Sequence, residues 1–529
     1  MVSSRNGPAA TAAAAAWLRR CSVLALACVL TACAGLPDVT GKPASQALTD
    51  TGTTRLARAI EPRLREHAGQ SGLIMLGNGR DAFATRVLLA DAAERSIDLQ
   101  TYIFHADATG MMLFDRLRRA ADRGVRVRLL LDDNNTVGLD PIIALLDAHA
   151  NIEVRLFNPH ANRGYRLAGY ATDFARLNRR MHNKSFTVDN QATVVGGRNI
   201  GNEYFATGEG TSFADLDVIA MGPAVHAVSA VFDRYWNSAS AYPAAAVLAG
   251  VVPADAQAFS EQVRQVQAAP GAAAYAQALA DSRKVAELLA GSAAIEWANT
   301  RLVYDAPEKV LNPPERVDLQ MLPKLEAALG QPLRALDLVS PYFVPGEAGA
   351  LALQTLAQRG VRVRVLTNSL AATDVSAVHA GYAKWRQGLL QAGVTLLELK
   401  PSSGPNASPD KADKSADGPG GSSKASLHAK TFGVDGQRLF IGSFNLDPRS
   451  ARLNTEMGMV IDSPLFATQL SDTLDQAATG AAYALRLSPQ GAVEWVDGGS
   501  TVHTTEPQTS AWRRAMVTFL SWLPIEWML

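Results

Sequence analysis

Hydrophobic and polar positions along the chain repeat in two places. Ser96-Ile-Asp-Leu-Gln-Thr-Tyr-Ile-Phe104 alternates in character and is rich in β-branched and aromatic residues, which predicts a strand. A helical pattern follows from Ala108 to Arg123, with Met111, Met112, Leu113 and Leu117 at helical spacing, and then Gly124-Val-Arg-Val-Arg-Leu-Leu-Leu131 predicts a second strand. Far downstream, Leu336-Asp-Leu-Val-Ser-Pro-Tyr-Phe343, a helix over Gly349 to Arg359 and Gly360-Val-Arg-Val-Arg-Val-Leu366 make the same succession. Strand, helix and returning strand form the parallel βαβ unit. The pentapeptide Gly-Val-Arg-Val-Arg recurs after 236 residues, too far for a solenoid repeat, so a whole α/β domain is duplicated.

The rest of the chain divides around these two units, predicted over 70–240 and 330–500. Residues 241–329 are alanine-rich with a helical pattern and read as a bridge between the halves. Residues 401–424 are of low complexity and read as a flexible insert. Segment 33–69 starts with a Gly-, Pro-, Ser- and Thr-rich run over 34–52 that reads as a tether. Residues 501–529 form an amphipathic tail with Arg513, Arg514, Phe519, Leu520, Leu523 and three tryptophans. Such a mixture suits a membrane interface, and equally a helix packed on the protein body.

The first residues follow a different pattern. Arg19 and Arg20 precede a short apolar run that ends Leu30-Thr-Ala-Cys33-Ala34-Gly35. A basic region, a short apolar region and a small-residue cleavage site predict an export signal over 1–32. The run is too short to span a bilayer stably. The end of the run resembles a bacterial lipobox, which makes Cys33 the lipidated first residue of an exported, membrane-anchored lipoprotein facing the periplasm. Ala34 in place of aspartate points to the outer membrane. All three cysteines, Cys21, Cys28 and Cys33, lie in this stretch, so the body carries neither a disulfide framework nor a cysteine-ligated metal site.

The chemistry is carried by a paired motif. Met181-His182-Asn-Lys184-Ser-Phe-Thr-Val-Asp189 leads to Gly196-Gly197-Arg-Asn199, and Leu427-His428-Ala-Lys430-Thr-Phe-Gly-Val-Asp435 leads to Gly442-Ser443-Phe-Asn445. Both read His-x-Lys-x-x-x-x-Asp, with asparagine 17 residues after the histidine; of nine histidines, these two carry the pattern. In a strand, His and Lys two apart share a face, and on an otherwise apolar strand they need an anion such as phosphate. The Gly197 and Ser443 turns are expected to let the backbone approach that phosphate, and Asn199 and Asn445 to donate hydrogen bonds to it. Two half-sites meeting about a pseudo-twofold axis let one imidazole attack phosphorus while the other protonates the leaving oxygen. The lysines and asparagines then stabilise the equatorial oxygens, with no metal and no cofactor required. Asp189 and Asp435 are cast as orienters of the histidines. Glu203, Asp217 and Glu456 are further candidates for orienting the site, and Tyr342 and Tyr382 for lining a lipid pocket or for simple packing.

These motifs resemble those of the phospholipase D superfamily in full. More narrowly, the chain is similar to bacterial cardiolipin synthases of the C type. That similarity is carried by Leu131-Asp-Asp-Asn-Asn-Thr136, Asn178-Arg-Arg-Met-His182, Gly196-Gly-Arg-Asn-Ile-Gly-Asn-Glu-Tyr-Phe205 and Phe213-Ala-Asp-Leu-Asp217. Val378-His-Ala-Gly-Tyr-Ala-Lys384 and Leu523-Pro-Ile-Glu526 continue it. The resemblance implies a duplicated α/β/α sandwich, two pseudo-twofold-related domains sharing one active site. It also implies phosphatidyl transfer to phosphatidylglycerol, giving cardiolipin through a phosphohistidine, with His182 as nucleophile and His428 as acid and base. Hydrolysis to phosphatidic acid shares that intermediate.

Composition narrows the alternatives. The chain has 50 basic and 50 acidic residues, and removing 1–32 takes away Arg5, Arg19 and Arg20, leaving 47 basic against 50 acidic. That balance counts against a nuclease of the same superfamily, which needs a basic surface. Six intact motif residues count against an inactive surface-binding lipoprotein. The expected partners are therefore phospholipid substrates and a bacterial membrane, reached through Cys33 and the C-terminal tail.

Overall fold

A computed structural model describes residues 35–205, 212–269, 273–401 and 425–529. The predicted signal, Cys33 and nearly all of the 401–424 insert lie outside the described residues.

Two large mixed sheets dominate. The first runs in the order Glu296–Ala298, Ser71–Leu76, Asp217–Met221, Ala192–Gly196, Ser185–Val188, Ser96–Ile103, Arg126–Asn135, Ile152–Phe157 and Ala241–Pro243. The second runs Thr300–Tyr304, Met457–Ile461, Arg438–Gly442, Thr431–Val434, Ala335–Val339, Arg362–Asn368, Thr395–Leu399, Ala482–Leu487, Val493–Asp497 and Thr501–His503. From Asp217–Met221 to Ala241–Pro243, and from Met457–Ile461 to Ala482–Leu487, strand order and direction coincide. The duplication read from the pentapeptide is a duplication of topology.

The pentapeptide itself does the same work twice. The helices Ala108–Asp122 and Gly346–Gln358 each stop two residues before its glycine, where Gly124 and Gly360 take positive φ values of 91° and 87°. Its last arginine then pairs with an aspartate on the neighbouring strand. Arg128 donates to Asp98 at 2.7 and 2.8 Å, and Arg364 to Asp337 at 2.7 and 3.0 Å. Each pair spans two parallel strands beneath the helical layer, and the bidentate geometry suits a buried guanidinium–carboxylate contact.

The chain crosses from one half to the other in a single step. Glu296–Ala298 edges the first sheet and Thr300–Tyr304 edges the second, with Asn299 between them. The sheets then meet over a shared apolar core that includes Leu73, Val218 and Ala220 from the first half and Leu439, Ile441, Met459 and Ile461 from the second.

Two segments differ from their sequence reading. The alanine-rich helices Ala256–Ala268, Ala273–Asp281 and Lys284–Leu289 do not bridge the halves. Their Phe259, Val263, Tyr275, Val285 and Leu288 are buried in the core of the first half, because each helix has one apolar face and the helices Arg55–Glu66, Gly79–Ala92 and Ala108–Asp122 offer a surface to cover it. Nor do residues 42–51 hang free as a tether. Lys42 donates to the Ser238 and Ala241 carbonyls, Asn190 Nδ2 donates to the Leu48 carbonyl at 3.1 Å, and Gln191 reaches Thr51. The helix Arg55–Glu66 follows, with Leu56, Ala57 and Ile60 buried.

At the far end, the helix Ala511–Ser521 packs Val517 against Leu370 and Ala380. Its outer face keeps Trp512, Phe519, Trp522 and, beyond the helix, Trp527 exposed. The packing reading of the tail holds for one face, and the aromatic face is open. Glu526 accepts from Trp385 Nε1 at 3.1 Å, and the Leu529 carbonyl accepts from the Arg449 amide at 2.7 Å, so the last residues are tied to the second half. Among the described residues no helix is long and apolar enough to cross a membrane.

Candidate active site

The two motif histidines reach the interface because each is bound to the backbone of the opposite half. Met181 forms a parallel bridge with Thr455, and the His182 amide donates to the Thr455 carbonyl at 2.8 Å. Reciprocally, Ala425–Leu427 pairs in parallel with Ser212–Ala214, and the His428 amide donates to the Ala214 carbonyl at 2.8 Å. The next residue on each receiving segment carries a carboxylate. Glu456 Oε2 lies 2.8 Å from His182 Nδ1, and Asp215 Oδ2 lies 2.6 Å from His428 Nδ1. Each half therefore supplies a histidine and also the carboxylate that orients the other half's histidine. With Nδ1 so engaged, Nε2 is left to face the substrate.

This overturns the sequence assignment of the orienters. Asp189 and Asp435 do not touch either imidazole. The Asp189 carboxylate accepts the backbone N–H groups of Glu94, Arg95 and Ser96, at 2.7 to 3.2 Å. Asp435 does the same for Leu333, Arg334 and Ala335, at 2.7 to 3.1 Å. Both sit at positive φ, 52° and 56°, in the turn after the motif strand. Seven positions from histidine at 3.3 Å per residue is about 23 Å along an extended chain, far beyond hydrogen-bond reach. They are caps that fasten the start of the adjacent strand.

The glycine expectation also changes. A Cβ at Gly197 would lie 2.2 Å from Asp215 Oδ1, and one at Gly196 would lie 2.1 Å from Asp217 Oδ1. The space is kept for carboxylates. The Gly197 amide donates to the Leu216 carbonyl, and the Ser443 amide to the Met457 carbonyl, so neither is offered to a phosphate. Ser443 Oγ instead donates to Glu456, as does Ser450 Oγ at 2.9 Å.

Of the other candidates, Glu456 is an orienter and the remaining two are not. Asp217 is fully buried and pairs with Arg86 at 2.9 Å and Arg198 at 3.3 Å, holding the turn around Gly196. Glu203 meets His105 at 3.2 Å. Tyr382 is buried between Phe343, His379 and Arg386 and serves packing. Sequence reasoning missed Asp215. The two halves carry the signal: Gly196 pairs with Asp217 and Gly442 with Gly458, so two residues upstream Asp215 falls opposite Glu456. It also missed two rings. Tyr102 meets His182 edge-on at 5.0 Å, and Tyr204 meets His428 at 5.1 Å, so the first half supplies an aromatic wall to both histidines.

Lys184 Nζ donates to the His182 carbonyl at 2.5 Å, and Lys430 likewise to the His428 carbonyl. Both lysines and both histidines are buried. Burial pushes the lysines down to about 7 for Lys184 and about 8 for Lys430. Burial and both ammonium groups hold His182 well below the ordinary imidazole value; burial and the Lys430 ammonium push His428 down to about 4. Burial also raises Glu456, to about 7, whereas the His428 ring and Lys430 keep Asp215 ionised against its burial. The Asn199 amide nitrogen and one side-chain amide atom of Asn445 are buried with no hydrogen-bond partner among the described residues. Rotating the Asn445 amide turns that atom into a donor. Two buried cations and two idle amides converging on one place describe a cradle for an anion with several oxygens.

Two outcomes follow. Glu456→Gln and Asp215→Asn should each lower kcat on a phospholipid substrate by about a hundredfold, since they remove what orients and charges an imidazole. Asp189→Asn and Asp435→Asn should lower the melting temperature and leave kcat of the folded protein within about threefold. Parallel kinetics and thermal melts separate these cases; a kcat loss at Asp189 as large as at Glu456 would refute the division. The pH profile of kcat/KM should fall as pH rises through about 7 to about 8, where the unliganded lysines lose their protons. On the acid side, activity should persist below the ordinary imidazole value of 6.5, because His182 stays neutral there. A profile flat up to the usual lysine range would contradict this charge state.

Comparison with known proteins agrees with this geometry. The family model for the PLD-like domain of cardiolipin synthase matches residues 88–236 and 325–478. The chain is 48% identical over 482 residues to cardiolipin synthase C of Escherichia coli (strain K12), covering 90% of this chain and 100% of that protein. It is 25% identical over 405 residues to the major cardiolipin synthase of Bacillus subtilis (strain 168), covering 76% and 68%. Among solved structures, phosphatidylserine synthase of Haemophilus influenzae superposes with a TM-score of 0.52 at 14% identity, over 80% of this chain and 91% of that one, a likeness of fold. With both matched segments each contributing one histidine, one lysine and one orienting carboxylate, the chain belongs to the cardiolipin synthase family of phospholipase D-like enzymes.

Proposed function

We propose that this protein is a phosphatidyltransferase that makes cardiolipin by moving a phosphatidyl group to the headgroup hydroxyl of phosphatidylglycerol through a covalent phosphohistidine. The observation that carries this reading is the reciprocal pairing of His182 with Glu456 and His428 with Asp215 around two buried lysines. In the first step, His182 Nε2 attacks phosphorus and the donor's headgroup oxygen leaves with a proton from His428. In the second, the acceptor hydroxyl gives its proton to His428 and attacks phosphorus, and the P–N bond electrons return to His182. Lys184, Lys430, Asn199 and Asn445 hold the phosphoryl oxygens in both steps.

The assignment of roles draws support from the unequal carboxylates. A general acid must gain a proton, and the firmly ionised Asp215 offsets part of the burial and Lys430 charge that push His428 down, so a proton is more easily held there than at His182. Glu456, raised by burial, gives His182 a weaker counter-charge and leaves it a neutral nucleophile. Incubating the full chain with labelled phosphatidylglycerol in mixed micelles, and resolving the products, tests the reaction; phosphatidic acid alone would make it a hydrolase. For the roles, His182→Asn should lose the covalent label altogether. His428→Asn should form it from a donor whose leaving group needs little protonation, and release it slowly. Label on His182→Asn but not on His428→Asn reverses the assignment, and label on neither variant nor the native enzyme favours direct displacement.

We place the enzyme at the periplasmic face of a membrane, lipidated on Cys33, with Trp512, Phe519, Trp522 and Trp527 entering the lipid interface. Ala34 supports the outer membrane as its site. The tail's exposed rings and its basic start suit the headgroup region of a bilayer. Cys33→Ser should lose fatty-acid labelling and shift the protein from the membrane fraction. Acyl label retained on that variant would refute the lipobox reading.

A further inference from the structure

The two sides of the active-site cleft differ in how their acids are neutralised. On the His182 side, Asp132 is bound by Arg180 at 2.8 Å and Asp133 by Arg163 at 2.8 Å. Both acids are buried and spent on these pairs. On the His428 side, Asp374 is half-buried, and the Tyr342 hydroxyl donates to its Oδ2 at 2.8 Å. Among the described residues, no lysine or arginine pairs with it. Asp374 nevertheless belongs to the site. Its charge acts on the Lys430 ammonium and on the Tyr204 hydroxyl, the ring that walls His428.

The placement of this pair is built in. Tyr342 follows the strand Ala335–Val339, and its neighbour Phe343 bridges Leu446, the residue after Asn445. Ser340 Oγ donates to the Tyr342 carbonyl at 2.7 Å and accepts the Leu446 amide at 3.1 Å. Asp374 is supported from the other side, where Arg513 of the tail helix donates to the Thr373 carbonyl at 3.1 Å. Among the described residues the first half has no such pair: the shared bridges Phe104–Ile200 and Phe343–Leu446 set Ile103 in the place equivalent to Tyr342.

A carboxylate beside a phosphate-binding centre repels the phosphate, so it has no use as a phosphate ligand. It fits a donor of hydrogen bonds. An additional ammonium group would be repelled by Lys184 and Lys430, whereas a neutral hydroxyl would not. We propose that Asp374 and Tyr342 receive the glycerol headgroup of the acceptor lipid, gripping its secondary hydroxyl so that the primary hydroxyl faces His428. This rests on the reading of His428 as the base that accepts the acceptor's proton. The secondary hydroxyl donates to Asp374, whose carboxylate the Tyr342 hydroxyl holds in place at 2.8 Å. The primary oxygen loses its proton to His428 and forms the new P–O bond as the P–N bond to His182 breaks. Water lacks the second hydroxyl, so the pair raises transfer over hydrolysis.

The test uses the purified full chain in mixed micelles of labelled phosphatidylglycerol, with added glycerol, 1-propanol or ethanolamine as soluble acceptors. Asp374→Ala should raise KM for the acceptor about tenfold, as for a lost hydrogen bond to a charged group. It should shift products from cardiolipin toward phosphatidic acid and erase the preference for glycerol over 1-propanol. Tyr342→Phe should act in the same direction and less strongly. The covalent label trapped on rapid quenching should be unchanged in both variants. Loss of label together with both products would make the pair a structural element and overturn the proposal. So would a glycerol preference that survives Asp374→Ala, or a native preference for ethanolamine that Asp374→Ala removes. Native enzyme that traps no label, or forms phosphatidic acid without any cardiolipin, would overturn the parent reaction instead, whatever the variants do.

Discussion

The active centre depends on an exchange between its halves. A histidine from each is bonded through its backbone amide to the other half and through its ring to the other half's carboxylate, at 2.8 Å for Glu456 and 2.6 Å for Asp215. Neither half is a partial enzyme by itself, because each would hold an unoriented imidazole and an unpaired buried acid. Burying such groups singly is costly, and meeting at the interface satisfies both at once. The apolar contact between the sheets, with Leu73, Val218, Leu439 and Ile461, supplies the non-directional attraction, and the two exchanged pairs supply the register.

That arrangement leaves an excess of buried positive charge awaiting a ligand. Lys184 and Lys430 spend one proton each on the carbonyl of the histidine two residues earlier, and the remaining protons converge with Asn199 and Asn445. The depressed lysine and histidine pKa values have the same origin, desolvation without an anion. Binding a phosphodiester restores the missing charge, so the energy held in the empty site is released on substrate binding and is largest for the most charged phosphoryl state. This is electrostatic preorganisation.

Pseudo-symmetry places the parts, and departures from it give direction to the chemistry. Glu456 and Asp215 occupy equivalent positions and are shifted in opposite directions, Glu456 up by burial and Asp215 down by its charged neighbours. The first half lends a ring to each histidine, and the second half carries the Tyr342–Asp374 pair. The C-terminal helix joins the same side: it supports the Thr373 backbone through Arg513 and turns its tryptophans outward. A transferase that draws both substrates from a bilayer needs such an asymmetry, since donor and acceptor approach one phosphorus in different roles.

By itself, the sequence determined the duplication, because a repeated pentapeptide with strand and helix periodicity on either side fits one βαβ topology. It also singled out His182, Lys184, His428 and Lys430 by their repeated spacing, although the structure sets each His-Lys pair just before a strand, Ser185–Val188 or Thr431–Val434, and not within it. It could not assign the carboxylates. Asp189 lies in the same short motif as His182, but chain extension carries it away to cap a neighbouring strand, while Glu456 arrives from 274 residues downstream. Local periodicity reports which way a side chain points, and only packing between the halves decides what it meets. The same holds for the alanine-rich helices, whose apolar faces were legible in the chain but whose partner, the helical layer of the first half, was chosen by the fold. It holds for the tail as well: its amphipathic character is a property of sequence, and which of its two faces remains open was decided by docking Val517 against Leu370 and Ala380.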